Sequence, residues 1–252
     1  MDLTRQNYHT TSSNMEYMGT SQFKSFMKCE AAALAEVKGD WKRSPTPSML
    51  MGSYVDAHFS GTRGVFVTEH PEAFKKNGEL LAVYAKAEVA IERIESDPAM
   101  MHYLSGDKQV IMTGEIAGIK FKIMMDSYLP GKEIVDLKYM KDFGFVWQDH
   151  EKKNFVEAWG YDYQAAIYRE IEGNGLPFII AAATKETEPD IGLFIIPHDV
   201  MDDRIDMVRA FAPQFQMIKL GLKEPTRCER CDYCKATRVL TGPVDCRDME
   251  DE

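Results

Sequence analysis

Residues 107 to 141, DKQVIMTGEIAGIKFKIMMDSYLPGKEIVDLKYMK, constrain this chain more than any other stretch. Ala117-Gly118 and Pro130-Gly131-Lys132 are turn signals, and they divide the segment into a meander of strands, about Gln109 to Ile116, Ile119 to Leu129 and Glu133 to Met140. Alternation in the second strand sets Ile119, Phe121, Ile123 and Met125 against Lys120, Lys122, Met124 and Asp126. In the third strand Ile134, Asp136 and Lys138 share one face, while Val135, Leu137 and Tyr139 take the other. Two carboxylates and an ammonium therefore meet across one hairpin.

A strand that carries Val135 and Leu137 is mostly buried, and buried charges need partners or a metal. A divalent cation satisfies both carboxylates, and hard oxygen ligands on neighbouring strands suit Mg2+ or Mn2+. Glu115, just before the first turn, is a further acid within reach, or else a surface turn residue. The plainer alternative for Asp136 and Lys138 is an ordinary ion pair on a half-exposed hairpin.

The 252 residues suffice for one large domain with a substantial core, and 44% hydrophobic and 28% charged residues are those of a globular protein. No apolar run is long enough to span a membrane, and MDLTRQNYHTTSS lacks the apolar block of a signal peptide, so the expected location is cytoplasmic. A net charge of -10 excludes attraction to nucleic acid over the whole surface and requires any such contact to be a local basic patch. Lys42, Arg43, Lys120, Lys122, Lys141, Lys152 and Lys153 are candidates for it. Of the five cysteines, Cys29 stands alone near the start and Cys228, Cys231, Cys234 and Cys246 crowd the end, which in a cytoplasmic chain favours a metal over disulfides.

In chain order, residues 1–20 read as a polar, flexible N-terminus. Ser21 to Val37 reads as one helix carrying Cys29, and a second follows Pro47 with Met51, Val55, His58 and Phe59 on an inward stripe. Tyr84 to Ser96 and a short piece after Pro98 complete a helical part over residues 21–105. Residues 106–222 hold the meander, a helix from Phe155 to Glu172 that carries Gln164 and Tyr168, strands at Pro177 to Ala183 and Gly192 to Pro197, and a last helix from Asp199 to Leu220. A cysteine-rich segment, 223–240, and an acidic tail, 241–252, follow; nothing divides 21–240 into more than one unit.

The ordered set of His58 in GSYVDAH, Asp126, the D-x-K of Asp136 to Lys138, and Q-x-x-x-Y at Gln164 to Tyr168 resembles the PD-(D/E)xK nuclease superfamily, most of all its phage RecE-like exonucleases of the exonuclease VIII type. The resemblance covers about Ser21 to Leu240 and implies an α/β fold with a restriction-endonuclease-like core, a central mixed sheet with an antiparallel meander flanked by helices. It further implies that His58, Asp126, Asp136 and the Leu137 carbonyl hold magnesium, that Lys138 orients and helps deprotonate a water, and that Gln164 and Tyr168 position DNA. The expected function is 5'-to-3' degradation of linear duplex DNA for recombination, with a single-strand annealing recombinase as partner, a homo-oligomeric assembly and a phage or prophage source. Within enzymes the alternative is a single-strand exonuclease of the iron-sulfur CRISPR-adaptation type; outside them it is a non-catalytic DNA- or protein-binding module.

The C-x-x-C-x-x-C of Cys228, Cys231 and Cys234 needs a fourth ligand, Cys29 or Cys246. Iron-sulfur members of the superfamily combine one early cysteine with three late ones, so the resemblance implies Cys29 and a [4Fe-4S] cluster, although the last two cysteines are spaced more tightly here. Zinc is the second choice.

Overall fold

A computed structural model describes residues 2–148, 150–240, 242–243 and 245. Cys246 and most of the acidic tail lie outside the described residues. The chain opens with α1 (Thr11–Glu16), β1 (Met18–Gly19), α2 (Thr20–Lys28), α3 (Glu30–Lys38), α4 (Pro47–Phe59), α5 (Arg63–Glu69), α6 (Ala85–Glu95) and α7 (Pro98–Tyr103). The meander follows as β2 (Asp107–Ile116), β3 (Ile119–Leu129) and β4 (Glu133–Met140), then a hairpin of β5 (Val146–Gln148) and β6 (Glu151–Lys153). After it come α8 (Phe155–Trp159), α9 (Tyr161–Glu172), β7 (Phe178–Thr184), β8 (Ile191–Ile196), α10 (His198–Lys219) and α11 (Asp232–Ala236).

The main sheet is mixed and has six strands, with β3 at its pivot. β2 pairs antiparallel along one edge of β3. The other edge is shared, because β1 pairs in parallel at Phe121 and Lys122 while β4 pairs antiparallel only at Ser127 to Leu129. Beyond Val135, β4 leaves β3 and continues beside β7 in parallel, and β8 closes that side antiparallel. The divergence of β3 and β4 opens a notch in the sheet. Asp126 and Asp136 stand at its mouth.

Two apolar clusters cover the sheet, and the period-2 pattern of β4 feeds both. Ile134 joins Phe23 and Phe26 of α2, Ile167 of α9 and Phe215 of α10, whereas Val135 and Leu137 join Tyr54 and Val55 of α4 and Ile91 and Ile94 of α6. In β7, Phe178, Ile180 and Ala182 serve the first cluster and Ile179, Ala181 and Ala183 the second. A strand buried on both faces reads as a continuous apolar run, as FIIAAAT does. Asp136 shares the face of Ile134, so α2 and α9 stand over it.

Three segments differ from the sequence expectation. Residues 2–20 carry α1 and β1 rather than a loose tail, and they are tied down because Lys122 is only 2% exposed and donates to the Tyr8 carbonyl, to Ser13 Oγ (3.0 Å) and to Asn14 Oδ1 (2.7 Å). The helix expected over Ser21 to Val37 is broken at Cys29, whose extended backbone (φ -163°) turns α3 away from α2. The helix expected from Phe155 breaks at Gly160, which adopts φ 63° and lies so close to Lys24 that a Cβ there would stand 2.8 Å from its Cδ.

Candidate active site

Asp126 sits where β3 loses its neighbour, and its side chain replaces the missing ladder partner: Oδ2 accepts from the Leu137 N–H at 3.0 Å. Gln109 Nε2 reaches Oδ1 of the same carboxylate at 3.4 Å. Asp136, 3% exposed, is held from the helix above, with Gln164 Nε2 donating to its Oδ1 at 2.6 Å. Its other oxygen, Oδ2, is ion-paired with the Lys138 ammonium. Tyr168, one helical turn beyond Gln164, donates to the Met124 carbonyl at 2.9 Å and so fixes the backbone of β3 two residues before Asp126. Gln164 and Tyr168 thus hold the acids and the strand in place.

A third acid completes the group, and it is not the residue that the sequence singled out. Met49, Gly52, Ser53 and Asp56 of α4 line the same cavity as Asp126, Asp136 and Lys138. His58 does not; its Nε2 pairs with Glu95 at 2.7 Å and its Nδ1 faces Arg63. His58 shares the apolar stripe of Met51, Val55 and Phe59, whereas the cavity face of α4 is the series Met49, Gly52, Ser53 and Asp56 at one-, three- and four-residue steps. Glu115 is exposed at the end of β2, away from the cavity.

The electrostatics are those of negative charge crowded out of water. Burial, then Asp136, push the Asp56 carboxyl up to about 6. Burial, then Asp136 and Asp56, push Asp126 well above the usual carboxylate range. For Lys138, burial alone lowers the pKa, but Asp136, Asp126 and Tyr161 outweigh it and hold the group above the usual lysine range. Lys138 is therefore a firmly charged donor, suited to orienting a water and unsuited to taking its proton. Lys24 of α2 nearby is brought down to about 8 by burial and then by Lys138.

This arrangement fits a divalent cation. Three carboxylates, of which Asp56 and Asp126 have their pKa raised by burial and then by neighbouring acids, meet the single charge of Lys138, an oxygen donor set that a cation would balance.

The second cluster joins opposite ends of the chain. Sγ atoms of Cys29, Cys228, Cys231 and Cys234 all lie within 4.8 Å of one another, with Cys29 to Cys234 at 3.6 Å and Cys228 to Cys234 at 4.0 Å. The surrounding backbone is locked, since Ala31 N–H donates to the Thr226 carbonyl (3.0 Å) and Thr226 N–H to Glu30 Oε2 (2.7 Å). These four cysteines could hold a metal ion. Thiolates about 2.3 Å from one tetrahedral ion stand about 3.8 Å apart, which this spacing fits. A four-iron cube interposes its own irons and sulfides and asks its cysteines to stand farther apart than a single ion does.

A mixed sheet whose diverging hairpin presents Asp126, Asp136 and Lys138 defines the PD-(D/E)xK nuclease fold. The chain belongs to the family described as a PDDEXK-like domain of unknown function (DUF3799), whose model matches residues 19–237. Among solved structures, one described as a "Putative exonuclease" from Eubacterium rectale is 43% identical, covers 97% of each chain and superposes with a TM-score of 0.93. A second, SSO0001, is 11% identical over 75% of this chain and 85% of its own, with a TM-score of 0.30, too distant to argue from. No curated protein matches the chain. Among the described residues no helix is long and apolar enough to cross a membrane.

Proposed function

We propose that this chain is a magnesium-dependent exodeoxyribonuclease acting on linear duplex DNA. The observation that carries the reading is the convergence of three carboxylates, Asp56, Asp126 and Asp136, with Lys138 in one cavity. Asp126, Asp136, the Leu137 carbonyl and, in place of His58, Asp56 would hold the cation. When bound, Mg2+ or Mn2+ supplies Lewis acidity to the scissile phosphate and lowers the pKa of a water. Lys138 aims its ammonium at the attacking water, Gln164 keeps Asp136 in its rotamer, and Tyr168 keeps β3 at the register that presents Asp126.

The relative described as an exonuclease supports action from an end. The phage recombination role, 5'-to-3' polarity, an annealing partner and a homo-oligomer are further parts of the proposal and rest on the resemblance of the motif order to RecE-like exonucleases. End-labelled linear duplex, linear single strands and covalently closed circles, each incubated with magnesium, test it. Linear duplex is degraded from the 5' end and circles survive, because an exonuclease must seat a terminus before chemistry. Preferred loss of single strands would favour the CRISPR-adaptation type of enzyme, and nicking of circles would make the protein an endonuclease. No cleavage of any of them would leave a binding module.

At the cysteine cluster we propose a single structural Zn2+ rather than the [4Fe-4S] cluster, on the strength of the Sγ spacing.

A further inference from the structure

The cavity of about 740 Å3 that contains the acids continues past them to the start of α2, where Gly19, Thr20, Ser21 and Gln22 line it together with Lys122. Lys122 and Asp126 are four residues apart on β3, about 13 Å by strand rise, which is a span of a few nucleotides. Three features of this far end belong together. First, α2 has nine residues, Gly19 at its N-cap, no side-chain cap and no acid in its first turn. The leading N–H groups of such a helix have no intrahelical acceptor and carry the positive end of its dipole. Second, Thr20 lines the cavity at 7% exposure, and its buried Oγ1 has no hydrogen-bond partner among the described residues.

Third, two buried ammoniums lie behind this helix end without a carboxylate partner among the described residues. Lys122 is bonded to the neutral oxygens of Tyr8, Ser13 and Asn14, and Lys219 of α10 to the Tyr17 carbonyl (3.1 Å) and Gln22 Oε1 (3.1 Å). The acid that reaches the cavity from α3, Glu36, is already paired with Arg43. Buried cations without counter-charge are costly, and an anion at the cavity's end would offset them.

We propose that this end of the cavity is a phosphate subsite, in which the N-terminus of α2 and the Thr20 hydroxyl grip a nucleic-acid phosphate lying over Lys122. The inference deepens the nuclease reading and rests on it. The phosphate is either a terminal one or an internal one of the substrate strand. The bound strand is then held at two points, by the acid cluster and its cation at one end and by the helix at the other, which fixes the strand's direction through the cavity.

The test measures binding of fluorescent oligonucleotides to the full chain in magnesium-free buffer, comparing an end-phosphorylated strand with the same strand unphosphorylated. Ser21→Asp is the informative variant. Ser21 is exposed and an acid in a first helical turn stabilises the helix, so the variant keeps or raises the melting temperature while repelling a phosphate. We expect binding to weaken about tenfold or more in Ser21→Asp, and severalfold in Thr20→Val. Weakening confined to the phosphorylated strand identifies a terminal phosphate, and weakening of both strands an internal one. Equal affinity of Ser21→Asp and the unaltered protein for both strands would overturn the subsite and leave the nuclease reading standing. An unaltered protein that binds neither strand would overturn both.

Discussion

Alternation along residues 133–140 sufficed to place Asp136 and Lys138 on one face and to set them against Asp126, because strand period is rigid and one face of β4 had to be apolar. On α4 the expectation had another source, the resemblance of GSYVDAH, which implied His58, and the cavity received Asp56. A helix with two occupied faces leaves its polar face unread until the neighbouring sheet is known. The two residues separate cleanly by experiment. Asp56→Asn should lower the rate of DNA cleavage by at least about 100-fold. His58→Ala should leave the rate within about threefold and cost about 0.2–1 kcal/mol of stability through the lost Glu95 pair, read by denaturant unfolding. The Asp56 carboxyl also has a pH signature. Its proton is held more tightly in the fold than in the unfolded chain, with the pKa raised to about 6 by burial and then Asp136, so the magnesium-free protein loses stability as pH rises from about 4 through about 6. Across that window the melting temperature of the unaltered protein should fall relative to that of Asp56→Asn; parallel profiles would contradict this environment.

At the scale of elements, β2, β3, β4, β7 and β8 with α6, α7 and α10 fall near their sequence positions, since burial period and capping residues such as Asp97 act locally, whereas the β5–β6 hairpin was not expected. The breaks were not legible. Helix propensity runs unbroken across Cys29, and only the other three cysteines, some two hundred residues away in sequence, give its extended backbone a reason. Likewise the polar residues of α1 and its approach look loose until Lys122 is seen to need their oxygens. A metal at the cysteines would clamp α3 to the segment before α11. Colourless protein with one zinc per chain is expected, and Cys231→Ser should lose that zinc and melt roughly 5–10 °C lower while magnesium-dependent turnover at 25 °C persists. Brown protein with broad visible absorbance would restore the iron-sulfur alternative. At the break before α9, Gly160→Ala should cost about 1–2 kcal/mol in unfolding experiments, from the left-handed backbone and the approach of Lys24.

For the molecule as a whole, the sheet divides into a β2–β3 wing and a β4–β7–β8 wing that part at the acids, with α4 bringing Asp56 from one side and α9 bringing Gln164 from the other. The order of motifs foretold this α/β core, but the continuity of the cavity from the acids to the start of α2 depends on how β1 docks against β3, which two residues of strand do not announce. The central claim is that the acid cluster is a metal-dependent site of phosphodiester hydrolysis. Its most direct test is the release of nucleotides from linear duplex DNA by the unaltered protein and by Asp136→Asn, with and without magnesium, alongside DNA binding by both. The account predicts release that requires magnesium and falls at least about 1000-fold in Asp136→Asn, with DNA affinity kept within about threefold. Undiminished release by Asp136→Asn, or release that persists when all divalent cations are chelated, would contradict it.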